Sequence, residues 1–248
     1  MAALIIVPGC GNMNQTTSGG LIGGGAGAAV GAGIGALIGK GKGAAIGAGG
    51  GAVLGGIIGA IAGNTAVGAA VGGAVGAGAG AIIGKKMDKA KKEAEAVQNA
   101  QVEAVTDANG LEAVKVTFDS GILFATGSST LSSTAKTSLF QFANVLKGNA
   151  DCDVAVQGYT DNAGWKGKSV EQSQQKNLEL SQQRAQSVTN YLLQQGVSAA
   201  QIRSTTGFGE SNPVADNSTA AGKAQNRRVE VYMYASQKMI QEAQQQAQ

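Results

Sequence analysis

The stretch Val154-Ala-Val-Gln-Gly158-Tyr-Thr-Asp161-Asn-Ala-Gly164 decides how the second half of the chain folds. Its first part is apolar and β-branched, which is typical of a buried strand, and its second part places an acid among small turn residues. The sequence therefore predicts a strand over 154–159 that ends in a turn carrying Asp161.

Two amphipathic helices are predicted on either side of this strand. The first ends near Gly148 and the second ends at Gly196. In each, mostly apolar residues recur at helical spacing and so share one buried face. These residues are Leu131, Ala135, Leu139, Phe142, Ala143 and Leu146 in the first helix, and Leu178, Ser181, Ala185, Val188 and Leu192 in the second.

Shorter apolar runs predict the remaining strands. An Asn-Gly pair between two such runs is typical of a β-hairpin, and helices then alternate with strands along the chain. This order predicts an α+β fold, a β-α-β-α-β sandwich in which helices cover one sheet. The runs lie at 102–106 and 111–118, which form the hairpin, and at 121–124, 202–207 and 229–234.

Four polar motifs follow one another in the same half of the chain. In this order they closely resemble the OmpA C-terminal-like, peptidoglycan-binding domain, over about residues 102 to 235. The resemblance implies an OmpA-like domain at 101–236 that binds and does not catalyse. The motifs are Gly158-Tyr-Thr-Asp161-Asn-Ala-Gly164, Asn177-Leu-Glu-Leu-Ser181-Gln-Gln-Arg184-Ala185, Gly207-Phe-Gly-Glu210-Ser-Asn-Pro213 and Asn226-Arg227-Arg228-Val229-Glu230-Val231.

The resemblance also implies a ligand and the residues that hold it. The family's ligand is the diaminopimelate side chain of the peptidoglycan stem peptide, which carries both an ammonium and a carboxylate. Asp161 would accept from the ammonium, and Arg184 would offer its planar fork to the carboxylate. The remaining residues implied in binding are Arg227 near that carboxylate, Thr126 and Gly127 in the backbone wall of the pocket, and Asn177 of the second motif.

Each of these residues also has an ordinary structural explanation. Asp161 alone is compatible with a turn acid, Arg184 with an exposed helix residue and Arg227 with a basic rim. The segment Trp165–Lys176 is longer than the family's usual spacing, and we expect it to cover the pocket. Two roles stay open for Trp165, which either caps the ligand or anchors its own loop.

A glycine recurs at every fourth position through most of residues 19–84, and this period places the glycines on one stripe of an α-helix. Three apolar blocks of about 19 to 21 residues result, each long enough to approach the thickness of a bilayer core. Small residues on one stripe favour close helix packing in a membrane, within one chain or in a homo-oligomer. The predicted packing residues are Gly23, Gly27, Gly31, Gly35, Gly39, Gly43, Gly47, Gly51, Gly55, Gly59, Gly63, Gly68, Gly72, Gly76, Gly80 and Gly84.

Two other interpretations of the glycine tract remain. Glycine-rich composition is also typical of a flexible linker, although linkers are usually polar and lack a fixed period. A membrane-inserting oligomer that forms or modulates a pore would use the tract as its working part. The tether and the pore are thus alternative functions at this stage.

The first residues resemble the end of a bacterial lipoprotein signal peptide. A short apolar run leads to Cys10, and the resemblance predicts that residues 1–18 hold a signal remnant and a lipidated cysteine, with palmitate among its acyl chains. Gly11 follows the cysteine, which favours sorting to the outer membrane. We therefore expect a lipid-anchored protein whose globular domain lies in the periplasm.

Composition narrows the remaining function classes. The formal net charge is +3, too small to indicate a nucleic-acid partner, and the absence of histidine removes the commonest general base and metal ligand. No catalytic residue, cofactor or metal is predicted. Residues 85–100 are predicted as a charged, solvated helical connector and 237–248 as a polar tail.

Overall fold

The computed structural model describes residues 76–106 and 111–248. Within these ranges the chain forms five strands and six helices. In chain order they are α1 (Ala77–Glu95), β1 (Ala100–Thr106), β2 (Glu112–Asp119), α2 (Ser120–Leu123), α3 (Ser133–Gly148), β3 (Cys152–Gly158), α4 (Val170–Gln194), β4 (Ile202–Gly207), α5 (Ala220–Asn226), β5 (Arg228–Ala235) and α6 (Gln237–Gln246).

The strands make one sheet in the order β1-β2-β5-β3-β4. β5 lies at its centre and runs antiparallel to both β2 and β3, whereas β3 and β4 are parallel. The ends of β2, β3 and β4 and the start of β5 therefore meet at one edge of the sheet. This edge carries the candidate site.

The core lies between the sheet and the helices that cover one of its faces. Alternate residues of a strand point to the same face, so Val229, Val231 and Met233 of β5 enter the core together, and each is 0% exposed. Val154 and Val156 of β3 join them, and α1, α3 and α4 supply the opposing apolar faces. The α+β fold expected from the sequence is confirmed.

The helix α4 approaches the sheet closely because two glycines lie beneath it. A side chain at Gly158 would collide with the backbone carbonyl of Ser181, and one at Gly207 would collide with the backbone of Gln182. These glycines stand in two of the quoted motifs. Their lack of a side chain fixes the distance between α4 and the site edge of the sheet.

Two local predictions were wrong. Residues 120–123 form the short helix α2, not a strand, because the Asp119 side chain accepts from the backbone N–H of Gly121 at 2.5 Å and caps a helical turn. Leu178, expected on the buried face of α4, is 42% exposed. The buried face is set instead by Leu180, Ser181, Ala185, Val188 and Leu192.

The two ends of the described chain differ from their expected roles. The helix α1 continues without a break across the boundary predicted at residues 84 and 85, and its Ile83 and Met87 are at most 1% exposed. The expected tail at 237–248 contains α6, whose Met239, Ile240 and Ala243 are buried. The helix period places an apolar face on these charged segments, so they pack onto the domain and are only partly solvated.

Polar contacts also hold α1 to the domain. Lys86 pairs with Asp151 at 2.6 Å, and the Asn149 amide donates to Glu93 at 2.7 Å.

Among the described residues, no helix is both long enough and apolar enough to cross a membrane.

The last glycines of the tract are the N-cap residue Gly76 and two residues of α1, and none of them is among the buried residues of this helix. A side chain at Gly76 or Gly80 would meet no atom within 4 Å, and one at Gly84 would meet the Glu112 carboxylate at 3.1 Å. Their role in helix packing stays a prediction. The remaining tract glycines, Cys10 and the hairpin loop at 107–110 lie outside the described residues.

Candidate functional site

A cavity of about 670 Å³ opens at the edge where β2, β3 and β5 meet. Its walls come from α2 and the loop after it, the turn after β3, the first half of α4, and the segment that leads from α5 into β5. All six residues implied in binding line it or stand in its wall. The lining residues are Ser120, Gly121, Phe124, Ala125, Thr126, Gly127, Thr160, Asp161, Ala163, Gly164, Trp165, Lys166, Asn177, Leu180, Arg184, Lys223 and Arg227.

Asp161 is held at the floor of the cavity by the turn that follows β3. One carboxylate oxygen accepts from the backbone N–H of Ala163 at 3.0 Å, and the other accepts from Arg227 at 2.5 Å. The Asp161 side chain is 9% exposed and that of Arg227 is 38% exposed. The acid is therefore fixed and nearly buried, while its arginine partner reaches solvent.

Arg184 lies on α4 with its guanidinium directed into the cavity wall. It is 3% exposed, donates to the backbone carbonyl of Ser128 at 3.0 Å, and stands 5.2 Å from the centre of the Phe124 ring. Burial lowers the pKa of Arg184, as does the nearby positive charge of Arg227, whereas Asp161 raises it. No carboxylate pairs with Arg184 among the described residues. An anionic ligand would supply that partner.

Asn177 organises the turn that carries Asp161. Its amide donates to the backbone carbonyls of Asp161 at 3.4 Å and Ala163 at 3.2 Å, and its oxygen accepts from the Trp165 indole at 2.8 Å. Asn177 is 4% exposed, so these bonds satisfy a polar group that burial would otherwise penalise. Its role in the structure is to position the turn.

Trp165 packs across the mouth of the cavity. Its ring lies 3.9 Å from where a side chain at Gly127 would begin, and Gly127 has a φ of +67°, in the left-handed region that favours glycine. Lys176 stands over the other part of the ring, 5.6 Å from its centre. The indole is thus anchored through its N–H to Asn177 and lines the cavity, and its role as a cap on a ligand stays a prediction.

The segment Trp165–Lys176 is only partly a loop. Ser169 caps α4 in a capping box with Gln172, so residues from Val170 onward form the first two turns of that helix. Arg184, further along the same helix, lines the same cavity as Asp161. Trp165 itself precedes the helix and lines the cavity.

A buried polar cluster supports the strand end below the site. Arg228 pairs with Glu230 at 2.7 Å and stands 3.9 Å over the Tyr159 ring, which itself stacks on Phe208 at 5.3 Å. The backbone N–H of Thr160 donates to Gly209 at 2.8 Å. These contacts fix Tyr159 and Thr160, the two residues that precede Asp161.

The structure adds one contact and two residues that the sequence did not indicate. Arg227 pairs with Asp161 in this structure, and its expected place near the ligand carboxylate stays a prediction. Lys223 lies on α5, a segment with too few apolar residues to be recognised as a helix by periodicity. Phe124 was assigned only to a strand, although it forms the ring that faces Arg184.

Comparison with protein families agrees with this geometry. Residues 123–227 match the model of the OmpA family. Residues 1–60 match a YMGG-like Gly-zipper and residues 46–91 match a Glycine zipper. The expected union of a glycine zipper with an OmpA-like domain is confirmed.

Individual relatives each match part of the chain. The probable lipoprotein YiaD of Escherichia coli strain K12 is 48% identical over 116 residues, which are 47% of this chain and 46% of that protein. The peptidoglycan-binding protein ArfA of Mycobacterium bovis is 43% identical over 93 residues, which are 38% of this chain and 26% of ArfA. The matched part thus spans less than half of either relative.

A solved structure shows the same fold. A MotB-like protein from Desulfovibrio vulgaris superposes with a TM-score of 0.52 at 23% identity, covering 61% of this chain and 93% of that one. At this identity the likeness concerns the fold alone.

Proposed function

We propose that this chain, whose residues 123–227 form a domain of the OmpA family, binds peptidoglycan without catalysis and tethers it to the outer membrane. The observation that carries the proposal is the convergence of Asp161, Arg184 and Arg227 on one cavity. An acid and two guanidinium groups at fixed positions suit a ligand that carries an ammonium and a carboxylate together. The similarity to a relative named for peptidoglycan binding supports this assignment.

The ligand proposed for the cavity is the diaminopimelate side chain of a stem peptide. Its ammonium would bind Asp161, and its carboxylate would bind Arg184. Because Arg227 already occupies one oxygen of Asp161, binding involves an exchange of partners. The exposed Arg227 is free to turn toward the incoming carboxylate while the ammonium replaces it.

The apolar walls suit the aliphatic part of the same ligand. Phe124, Leu180 and Trp165 line the cavity between its charged groups. A chain of methylene groups between the ammonium and the peptide backbone would bury its apolar surface against these side chains. A simple inorganic ion would gain nothing from them.

The membrane end of the tether is assigned to the first part of the chain. We propose that Cys10 carries acyl chains, with palmitate among them, and that the glycine tract packs in or on the outer membrane. Each buried CH₂ of an acyl chain contributes about 0.8 kcal/mol to anchoring, so several chains together hold firmly. The domain would then reach the wall from the periplasmic side, and the name of the relative YiaD as a probable lipoprotein supports this arrangement.

Retention of the full-length protein on purified peptidoglycan sacculi tests the proposal. Asp161→Asn and Arg184→Gln should each weaken retention about tenfold to hundredfold, because a hydrogen bond to a charged group contributes about 1.5–3 kcal/mol. Both substitutions keep the approximate shape of the side chain. Thermal unfolding of the same variants shows whether the fold is intact.

Matched controls separate the site from charge in general. Asp88→Asn removes an exposed acid of α1, and Arg203→Gln removes an arginine whose side chain is 53% exposed. Both should be retained like the parent protein. Folded Asp161→Asn and Arg184→Gln proteins that bind sacculi as well as these controls would refute the assignment.

A further inference from the structure

Among the charged side chains that line the cavity, the cationic ones outnumber the acidic ones. Four are cationic, namely Lys166, Arg184, Lys223 and Arg227, and Asp161 is the single acid among the lining residues. Since Arg227 already pairs with Asp161, three cations remain without an acidic partner among the described residues. A ligand with one ammonium and one carboxylate would satisfy only one of them.

The surroundings of the cavity do not restore the balance. Two further acids lie close by but outside the lining. Glu210 contacts the Asn177 amide at 3.3 Å and Gln174 at 3.0 Å, and Asp119 accepts from the backbone N–H of Gly121. Lys176 adds a further cation over the Trp165 ring. The cavity lining itself carries a formal charge of +3.

We infer that this cavity selects its peptide ligand by the number of free carboxylates, binding stem peptides with free acids in preference to those in which the acids are carboxamides. The inference rests on the proposed function, because it concerns the same ligand in the same cavity. A stem tripeptide ending in diaminopimelate offers one ammonium and three carboxylates. The cavity lining provides one acid for the ammonium and four cations for the carboxylates, because the ammonium displaces Arg227 from Asp161.

Two of the three cations lie at the rim and have a different role from Arg184. Arg184 is buried and is held by backbone carbonyls, so it fixes one carboxylate in place. Lys166 is exposed and Lys223 is half-buried, and each ends in a flexible ammonium that can follow a carboxylate of the peptide backbone. Lys166 and Lys223 are thus specificity residues, whereas Asp161 and Arg184 are the primary binding groups.

The test compares two soluble ligands on the full-length protein. One is the N-acetylated stem tripeptide with free carboxylates, and the other is the same peptide with its glutamate and terminal carboxylates converted to amides. Affinity is measured by competition against purified sacculi. Fluorescence of Trp165, the one tryptophan of the chain, provides a second measurement at the cavity itself.

The parent protein should bind the free acid at least about tenfold more tightly than the diamide. In the double variant Lys166→Gln/Lys223→Gln, this ratio should fall to about threefold or less through weaker binding of the free acid. The control Lys168→Gln/Lys238→Gln removes the same charge from exposed lysines outside the cavity lining and should keep the parent's ratio.

The outcomes of the test distinguish a failure of this inference from a failure of the proposed function on which it rests. Equal affinity of the parent for the two peptides, or an unchanged ratio in Lys166→Gln/Lys223→Gln, would overturn the inference and leave peptidoglycan binding standing. Failure of the parent to bind sacculi at all would overturn the proposed function. A loss of preference in both double variants would assign the effect to net charge and so overturn the role of the two rim lysines.

Discussion

Arg184 is a charged side chain that the domain buries without an acidic partner. The carbonyl of Ser128 and the face of Phe124 replace part of its hydration, yet burial still lowers its pKa. A guanidinium in this state has hydrogen-bonding capacity left over. Asp161 differs in having one donor on each oxygen before any ligand arrives, although each oxygen can accept a second donor.

The identity of the site residues could be predicted from the sequence, but their pairing could not. Asp161, Arg184 and Asn177 stand in short motifs with a fixed spacing, so a local pattern was enough to find them. The ion pair between Arg227 and Asp161 joins residues 66 positions apart, and it depends on the antiparallel register of β3 and β5. No local pattern carries that information.

Burial of Cys152 changes the pKa of its thiol, and this change can be measured. It lies at the start of β3, is 2% exposed, and burial raises its pKa to about 12. The folded protein therefore keeps the thiol protonated at pH values where the unfolded chain, with an ordinary thiol pKa near 8.5, loses the proton. Stability should consequently fall as the pH rises from about 9 to 12.

Alkylation at pH 8 followed by peptide mapping checks this state. The peptide that contains Cys152 should stay unlabelled in the native protein and become labelled on addition of denaturant. Cys152→Ser should flatten the alkaline loss of stability, although the variant starts from a lower free energy of unfolding. Rapid native labelling of Cys152 would contradict the burial described above.

At the scale of elements, helices and strands were predictable where an apolar period was long. The helices α3 and α4 and the strands β3, β4 and β5 all lie close to their expected positions. The helix α2 was missed because a capping side chain decided four residues whose composition favours a strand. The helix α5 was missed because it has almost no apolar residue to show a period.

The contact between α4 and the sheet is a property of two elements and can be tested at one glycine. Gly158→Ala places a methyl group against the backbone of α4, which cannot move as a flexible side chain would. Overpacking of this kind typically costs about 1–3 kcal/mol, and we expect at least that loss in the free energy of unfolding. The measurement is denaturant unfolding followed by circular dichroism.

Gly148→Ala is the matched control. It lies in the last turn of α3, and a side chain there would come no closer than 3.9 Å to the Glu93 carboxylate. Alanine in a helix is more favourable than glycine by about 0.5–1 kcal/mol, so this variant should be as stable as the parent or slightly more stable. Similar losses in both variants would show that α4 does not depend on the close approach at Gly158.

At the scale of the whole molecule, α1 joins two regions that the sequence predicted as separate. One face of this helix enters the core of the domain through Ala79, Ile83 and Met87, and another face carries the last glycines of the zipper. The domain and the end of the glycine tract thus share one helix. A change at Gly80, which has no neighbour within 4 Å, should therefore leave the core of the domain unaffected.

The two faces of α1 predict different effects for an isoleucine introduced at neighbouring positions of this helix. Gly80→Ile and Ala81→Ile both add an isoleucine at positions that leave the buried face of the helix untouched, since Gly80 has no neighbour within 4 Å and Ala81 is exposed. Both variants should keep the thermal stability of the domain. Ala79→Ile, at a site that is 1% exposed, should lower the free energy of unfolding by about 1–3 kcal/mol and so shows that the measurement detects overpacking.

Helix association in detergent then tests whether the glycine stripe packs against other helices or serves only as apolar surface. If helices of the tract pack through their glycines, Gly80→Ile blocks close approach and reduces assembly, measured by cross-linking or by sedimentation, whereas Ala81→Ile leaves it intact. Simple partitioning into an apolar phase would treat the two variants alike, because they add nearly the same hydrophobic surface. Equal assembly of Gly80→Ile and Ala81→Ile would therefore leave the acyl chains on Cys10 as the proposed anchor and remove helix packing from the tether.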